Sequence, residues 1–138
     1  MWQHEHQAEA AVSAQAVWQC WADVAAWPSW NPDVHEATID GPFTSGAQIR
    51  MTLGSGDVVP LTVTDVDEGR SFVDEASLDG VVVRTTHRVE PAAADRVQVV
   101  YAITVDGAAP DDVLAEIGTG ISADFPETVA ALLEAAAS

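Results

Sequence analysis

Asp74, Thr85, His87 and Tyr101 are the residues whose types and spacing could do chemistry together. Hairpin arithmetic groups them. Two strand-like runs, Ser71 to Leu78 and Val81 to Glu90, flank Asp79-Gly80, a strong two-residue hairpin signal. A two-residue loop sets Leu78 opposite Val81. Counting back sets Ala76 opposite Val83, Asp74 opposite Thr85 and Phe72 opposite His87. These residues share the apolar face. On the other face Glu75 meets Arg84, a charge pair that suits solvent. Asp74 and His87 then both point inward as diagonal neighbours, about 7–8 Å apart at the backbone. Tyr101, on the next strand, has the same parity, and an apolar-in register sets it near Thr85.

A histidine can shuttle protons near neutral pH, a carboxylate can orient it, and a phenol can donate to a developing enolate. That set, with His87, Asp74 and Tyr101 as the catalytic candidates, suits aldol-type cyclisation or dehydration of a poly-ketone. The same residues also read as a polar cluster that only orients a bound molecule, with His87 hydrogen-bonded to Asp74. Binding is the reading we favour.

Other constellations are weaker. His4 and His6 share a strand face, and His35 could lie on a neighbouring strand, so three imidazoles could hold zinc. No carboxylate or fourth ligand is indicated, and no metal is expected. Cys20 is the single cysteine; it cannot form an intramolecular disulfide and reads as a small buried hydrophobe without an activating neighbour. No Gly-rich phosphate loop, nucleophile elbow or basic cluster for an anionic cofactor is present, and no cofactor is expected.

The elements that must position these groups follow from periodicity. Trp2, His4, His6, Ala8 and Ala10 alternate with Gln3, Glu5, Gln7 and Glu9, a strand with one solvated face. Ser13 can cap a helix whose apolar stripe is Ala14, Val17, Trp18 and Trp21. Trp18 and Trp21 read as core anchors. Asp23 can cap a second short turn, Val24 to Ala26, after which Pro28 pushes Trp27 out of helical geometry. Strands are predicted at His35 to Asp40, Gln48 to Leu53 and Val58 to Asp67, then in the hairpin, then at Arg96 to Asp106. The tail reads as one long helix from Pro110, with Leu114, Ile117, Ile121, Phe125, Thr128 and Leu132 on one stripe. Gly118 and Gly120 each cost about 1 kcal/mol inside a helix and Pro126 about 3 or more, so the helix is expected to bend. Strands joined by short turns give an antiparallel sheet, and the last helix is its only large apolar cover. A curved sheet on a bent helix can leave a cavity between them.

Composition sets the bounds. The 138 residues carry 22 acidic and 5 basic side chains, a formal charge of −17, and all five basic residues are Arg. One domain spanning 1–138 is the natural reading at this length. A hydrophobic content of 48% with five Trp is enough for a core, so disorder is excluded. Nothing could neutralise a run of phosphates, so neither nucleic acid nor an anionic membrane surface is an expected partner. Met1-Trp2-Gln3-His4-Glu5-His6 lacks a basic segment followed by an apolar one, and no apolar run approaches the roughly 20 residues of a membrane span. A cytoplasmic location is expected, as a monomer or homodimer. The lack of Lys, with so many acids, reads as a trace of a salty environment.

The order of elements and several local motifs resemble the START-like, helix-grip (SRPBCC) superfamily, and within it the polyketide cyclase/dehydrase-like subgroup. The resemblance is carried by Val17-Trp18, Trp21-Ala22-Asp23-Val24 and Trp27-Pro28-Ser29-Trp30-Asn31-Pro32. It continues in Ile39-Asp40-Gly41-Pro42-Phe43, Gly46, Phe72-Val73-Asp74-Glu75, Leu78-Asp79-Gly80 and His87-Arg88-Val89-Glu90-Pro91, and ends in Asp124-Phe125-Pro126-Glu127-Thr128. It covers essentially the whole chain. It implies an α+β helix-grip fold: a curved antiparallel sheet of about seven strands wrapped on a long C-terminal helix, with two short helices after the first strand. It also implies an internal pocket for a small hydrophobic or aromatic molecule, but no reaction. On that fold the ligand-binding candidates are Met51, Leu53, Phe72, Val83, Thr85, Ile117, Ile121 and Phe125, with Trp30 as a lid at the pocket mouth. Two other functions stay open: a cyclase/dehydratase-like enzyme using His87 as general acid/base, and a regulatory or co-chaperone-like interaction module.

Overall fold

Nine residues of alternating polarity, Trp2–Ala10, form the first strand, β1, of a seven-stranded antiparallel sheet in the computed structural model, which describes residues 1–138. Helix α1 (Ala14–Ala22) follows, and the Ser13 side chain accepts the Ala16 N–H at 3.1 Å, the predicted cap. Val17, Trp18 and Trp21 are its buried stripe. The second short helix is a 3₁₀ turn over Val24–Ser29, longer than expected. Pro28 does not expel Trp27 from it. The Trp27 carbonyl accepts from the Trp30 and Asn31 amides, so Pro28 occupies the second position of a tight turn, where its fixed φ fits.

The remaining strands are β2 (Val34–Ile39), β3 (Gln48–Leu53), β4 (Val58–Asp67), β5 (Ser71–Leu78), β6 (Val81–Pro91) and β7 (Val97–Gly107). Their spatial order is β1-β7-β6-β5-β4-β3-β2. The β5–β6 register agrees residue for residue with the hairpin arithmetic, from Leu78 opposite Val81 to Phe72 opposite His87. Asp79 and Gly80 both take positive φ, 49° and 82°, as a two-residue turn matching the strand twist requires. On the outer face Arg84 Nε donates to Glu75 at 2.8 Å.

The tail is a bent helix in two segments, α2 (Asp111–Ser122) and α3 (Phe125–Ala136). The break at Ala123–Asp124 leaves Pro126 in the first turn of α3, where its missing N–H would be unpaired in any case. Helix α2 lies on β1 and β7, and α3 packs against α1, β1 and β7. The dry core is at that end: Val99, Ile103, Val105, Leu114, Val129 and Leu132 are essentially inaccessible. Gly118 belongs to this packing. A Cβ there would lie inside the Trp2 ring, so this glycine permits a close approach of helix to strand. Gly120 is different, since a Cβ there meets open space.

His4 and His6 sit on β1 and His35 on β2, the two opposite edges of the sheet, so the three imidazoles do not meet. No group of three or more His, Cys, Asp or Glu side chains is arranged to hold a metal. No helix is long and apolar enough to cross a membrane.

Candidate functional site

Away from the dry core, the inner face of β3–β6 and the bend between α2 and α3 stand apart and leave a cavity of about 650 Å³ that opens to solvent. The hairpin parity that groups Asp74 and His87 also turns Phe72, Ala76, Leu78, Val83 and Thr85 onto its wall. β3 and β4 add Met51, Leu53, Val59 and Leu61. The 3₁₀ turn and the loop after it add Trp27 and Trp30 to Asp33, and the bend adds Gly120, Ile121, Asp124, Phe125 and Thr128. Every sequence candidate is on this wall except Ile117. Ile117 lies one turn before Ile121, where α2 has already closed onto β1 and β7, and it packs against the core.

Tyr101 stands opposite His87, not near Thr85, which pairs with Ile103. The strands stay paired down to Pro91 and Val97, and this sets a register two residues from the expected one. A slip of two keeps the same face, so Tyr101 still reaches the cavity.

The aromatic rings form one cluster. His87 stacks on Phe72 with centroids 4.0 Å apart and meets the edge of Tyr101 at 4.7 Å. Trp21 packs edge-on to both Phe72 and His87. Its indole Nε1 donates to the Tyr101 hydroxyl oxygen at 3.1 Å. That oxygen is the acceptor, so the phenolic proton is free to donate elsewhere. Burial raises the Tyr101 pKa well above its ordinary value, and the phenol stays protonated.

His87 does not bond to Asp74. Its Nδ1 lies 3.3 Å from the Phe72 carbonyl oxygen, its cross-strand partner. A carbonyl only accepts, so Nδ1 carries the proton and Nε2 is the acceptor. Burial pushes the imidazole pKa down to about 3, against a smaller opposing effect of that carbonyl. Of the general acid/base role the sequence suggested for His87, a neutral imidazole near pH 7 favours the accepting side; the distance to Asp74 across the diagonal is not closed by a hydrogen bond.

Asp74 is 6% exposed and accepts no hydrogen bond from the protein. Burial, with a lesser push from Glu75, raises its pKa to about 7. It is the group on the hairpin that can exchange a proton near neutrality. Asp74 is not the only acid inside. Asp124, at the helix bend, is half-buried and lies against Asp33 of the loop before β2. Burial first, and then the hydrogen bond and charge of Asp33, raise the Asp124 pKa. This pair joins two loops far apart in sequence, and no local pattern reveals it. Trp21 was legible as a helix-face residue but not as cavity wall, because one indole can serve both, and Trp27, expected outside helical geometry, also lines the cavity.

The Trp30 indole Nε1 is buried without a partner. Cys20 is half-buried, and burial followed by the nearby Asp23 raises its pKa, the opposite of an activated thiolate. All five Arg side chains are absent from the cavity wall.

A family model described as "Polyketide cyclase / dehydrase and lipid transport" matches residues 1–135. No curated protein matches the sequence. Solved structures share the fold at low identity. A START superfamily protein from Mycobacterium smegmatis superposes with a TM-score of 0.73 at 18% identity, over 97% of this chain and 96% of that one. A protein from Thermobifida fusca solved by NMR gives 0.80 at 23% identity, over 97% and 92%. The di-domain ARO/CYC BexL of the BE-7585A biosynthetic pathway gives 0.80 at 21% identity, over 97% of this chain and 46% of that one.

Proposed function

The chain belongs to the polyketide cyclase/dehydrase and lipid transport family, and on that footing we propose that it binds a small hydrophobic or aromatic molecule in the cavity between the sheet and the bent C-terminal helix. One observation carries the reading. The molecule keeps about 650 Å³ open beside an otherwise tightly packed core, and walls it mainly with aliphatic and aromatic side chains. Such a volume lies in the usual range of small-molecule sites, and a few polar groups set into an apolar wall are what fix a ligand's orientation. Here those groups are Asp74, Thr85, the His87 Nε2 and the Tyr101 hydroxyl.

Trp21, Trp27 and Trp30 all face the cavity, so binding can be read by fluorescence. Titration with uncharged polycyclic aromatics is expected to give saturable quenching. Ala76→Phe places a ring in the void from an inward, buried position and is expected to weaken that binding at least about tenfold, or 1.4 kcal/mol. Wild-type quenching that never saturates, or that Ala76→Phe leaves untouched, overturns the reading.

A second reading, cyclase/dehydratase-like catalysis, draws on Asp74 and Tyr101 rather than on His87 as the acid. A carboxyl that exchanges its proton near pH 7 beside a protonated phenol is suited to abstracting and returning a proton α to a carbonyl. Incubation with a linear poly-ketone thioester tests it; no product distinguishable from the uncatalysed background ends it. For the interaction-module reading, Leu78 and Ile121 among the exposed large hydrophobics line the cavity, and Met1, Val58, Val82 and Val113 lie outside it. We further propose a cytoplasmic monomer or homodimer without nucleic-acid or membrane partners, on the strength of its composition.

A further inference from the structure

The cavity's charge is one-sided. Asp33, Asp74 and Asp124 line it, and no Arg does. Arg84, on the strand that carries Thr85 and His87, is tied to Glu75 on the outer face of the sheet. An anionic ligand would therefore enter with nothing to neutralise it and with carboxyls to repel it. A ligand without a donor would leave Asp74 as it stands: nine-tenths buried, facing the cavity, with no donor from the protein; a neutral donor would partner it only in part, because it brings no charge. The rings of Phe72, Tyr101 and Trp21 line the same cavity, and an aromatic face attracts a cation. The field of Asp74 and that of Asp124 both reach Tyr101, so the two carboxyls act on one region of the cavity.

We propose that the cavity takes a protonated amine carried on an aromatic or apolar body, with its ammonium seated at Asp74 among the aromatic rings and the Asp33–Asp124 pair drawing it in from the bend. This rests on the cavity being a ligand site. An ammonium supplies the N–H donors that the protein withholds from Asp74, and a charge-assisted pair in a desolvated site is stronger than the same pair at the surface. The apolar body fills the remaining wall.

Isothermal titration with three probes of one shape tests the charge: 1-naphthylmethylamine, 1-naphthylmethanol and 1-naphthoic acid, near neutral pH and in physiological salt. The amine is expected to bind at least about tenfold more tightly than the alcohol, a difference of 1.4 kcal/mol, and the acid to show no binding. The chain's net charge of −17 attracts any amine weakly, so the control is local. Asp74→Asn changes the net charge by one unit only, yet is expected to bring the amine-to-alcohol ratio towards one. The wild-type ratios stand on their own should that variant not fold, and Asp124→Asn, at a half-exposed position, gives a second, smaller fall in the ratio. Equal binding of amine and alcohol, or binding of the acid, overturns the amine class while leaving the pocket reading intact. A ratio unmoved in folded Asp74→Asn overturns the seat. No binding by any of the three overturns both.

Discussion

The imidazole of His87 lies flat on the ring of Phe72, with centroids 4.0 Å apart and planes within 4°. The two residues are direct cross-strand partners, and the Phe72 carbonyl also takes the Nδ1 proton of His87. Ring and backbone together hold the histidine in one tautomer and in an apolar setting. The consequence is a division of labour inside the cavity, with a neutral histidine as acceptor, a protonated tyrosine as donor, and Asp74, with Asp124 at the bend, as the groups able to change charge near pH 7.

Asp74 carries the first prediction. Its folded pKa of about 7 lies above its ordinary value of 3.8, so the native state holds the proton more tightly than the unfolded chain. Its relative stabilisation is complete below about pH 3.8 and is lost as pH rises towards 7. Asp74→Asn removes that loss. Urea unfolding is expected to show the variant more stable than wild type by roughly 2–4 kcal/mol at pH 8, with the difference shrinking on acidification. A variant equally or less stable at pH 8 rules this out.

His87 gives the opposite limb. Its pKa falls from 6.5 to about 3 on folding, so its contribution is complete above pH 6.5 and is lost as pH falls towards 3. His87→Gln keeps a donor for the Phe72 carbonyl and does not titrate. Measured against this variant, wild type is expected to lose up to roughly 4 kcal/mol between pH 6.5 and pH 3. In NMR the wild-type imidazole carbon shifts should stay those of the neutral Nδ1–H form at pH 5. Protonation at pH 5 would contradict the buried, carbonyl-bound geometry.

How much of this was legible in the sequence depends on how locally each feature is encoded. The Asp79-Gly80 turn admits one loop length, so the whole β5–β6 register, with Asp74 and His87 inward, could be counted from it. The β6–β7 connection carries no such signal; alternation gave Tyr101 its face but not its partner. The Asp33–Asp124 contact joins two loops that only the closed fold brings together. Parity and charge pairing placed Asp74 inside, while the burial of Asp124 depends on where the helix breaks, which periodicity does not show.

The two helix glycines are a case where composition gave the same reading and packing gives opposite ones. Both take helical φ, so each carries the entropic cost of glycine in a helix. Gly120→Ala adds a methyl into open space and is expected to stabilise by roughly 0.4–1 kcal/mol. Gly118→Ala drives a methyl into the Trp2 indole and is expected to destabilise by roughly 1–3 kcal/mol, since the ring must shift from its packing against α2 to make room. Thermal unfolding of the two variants side by side decides it. Shifts of the same sign would mean that Trp2 does not seat against α2.

The surface makes the last prediction. Of 22 acids, Glu75, Glu90 and Glu9 pair with the Arg side chains of 84, 88 and 96, and Asp106 approaches the N-terminal amine; these contacts are exposed or partly so. Pairs of this kind contribute about 0–1 kcal/mol each. The many other exterior carboxylates repel one another, and that repulsion is greater in the compact state than in the unfolded chain. Salt shortens the screening length from about 10 Å at 0.1 M to about 3 Å at 1 M, which removes more repulsion than it removes attraction from so few pairs. The melting temperature is therefore expected to rise with KCl. A rise that levels off well below 1 M is screening alone, whereas a rise that continues into the molar range indicates a surface adapted to high salt. A melting temperature that falls or stays flat would show that the arginine pairs, few as they are, outweigh the repulsion of the acids around them.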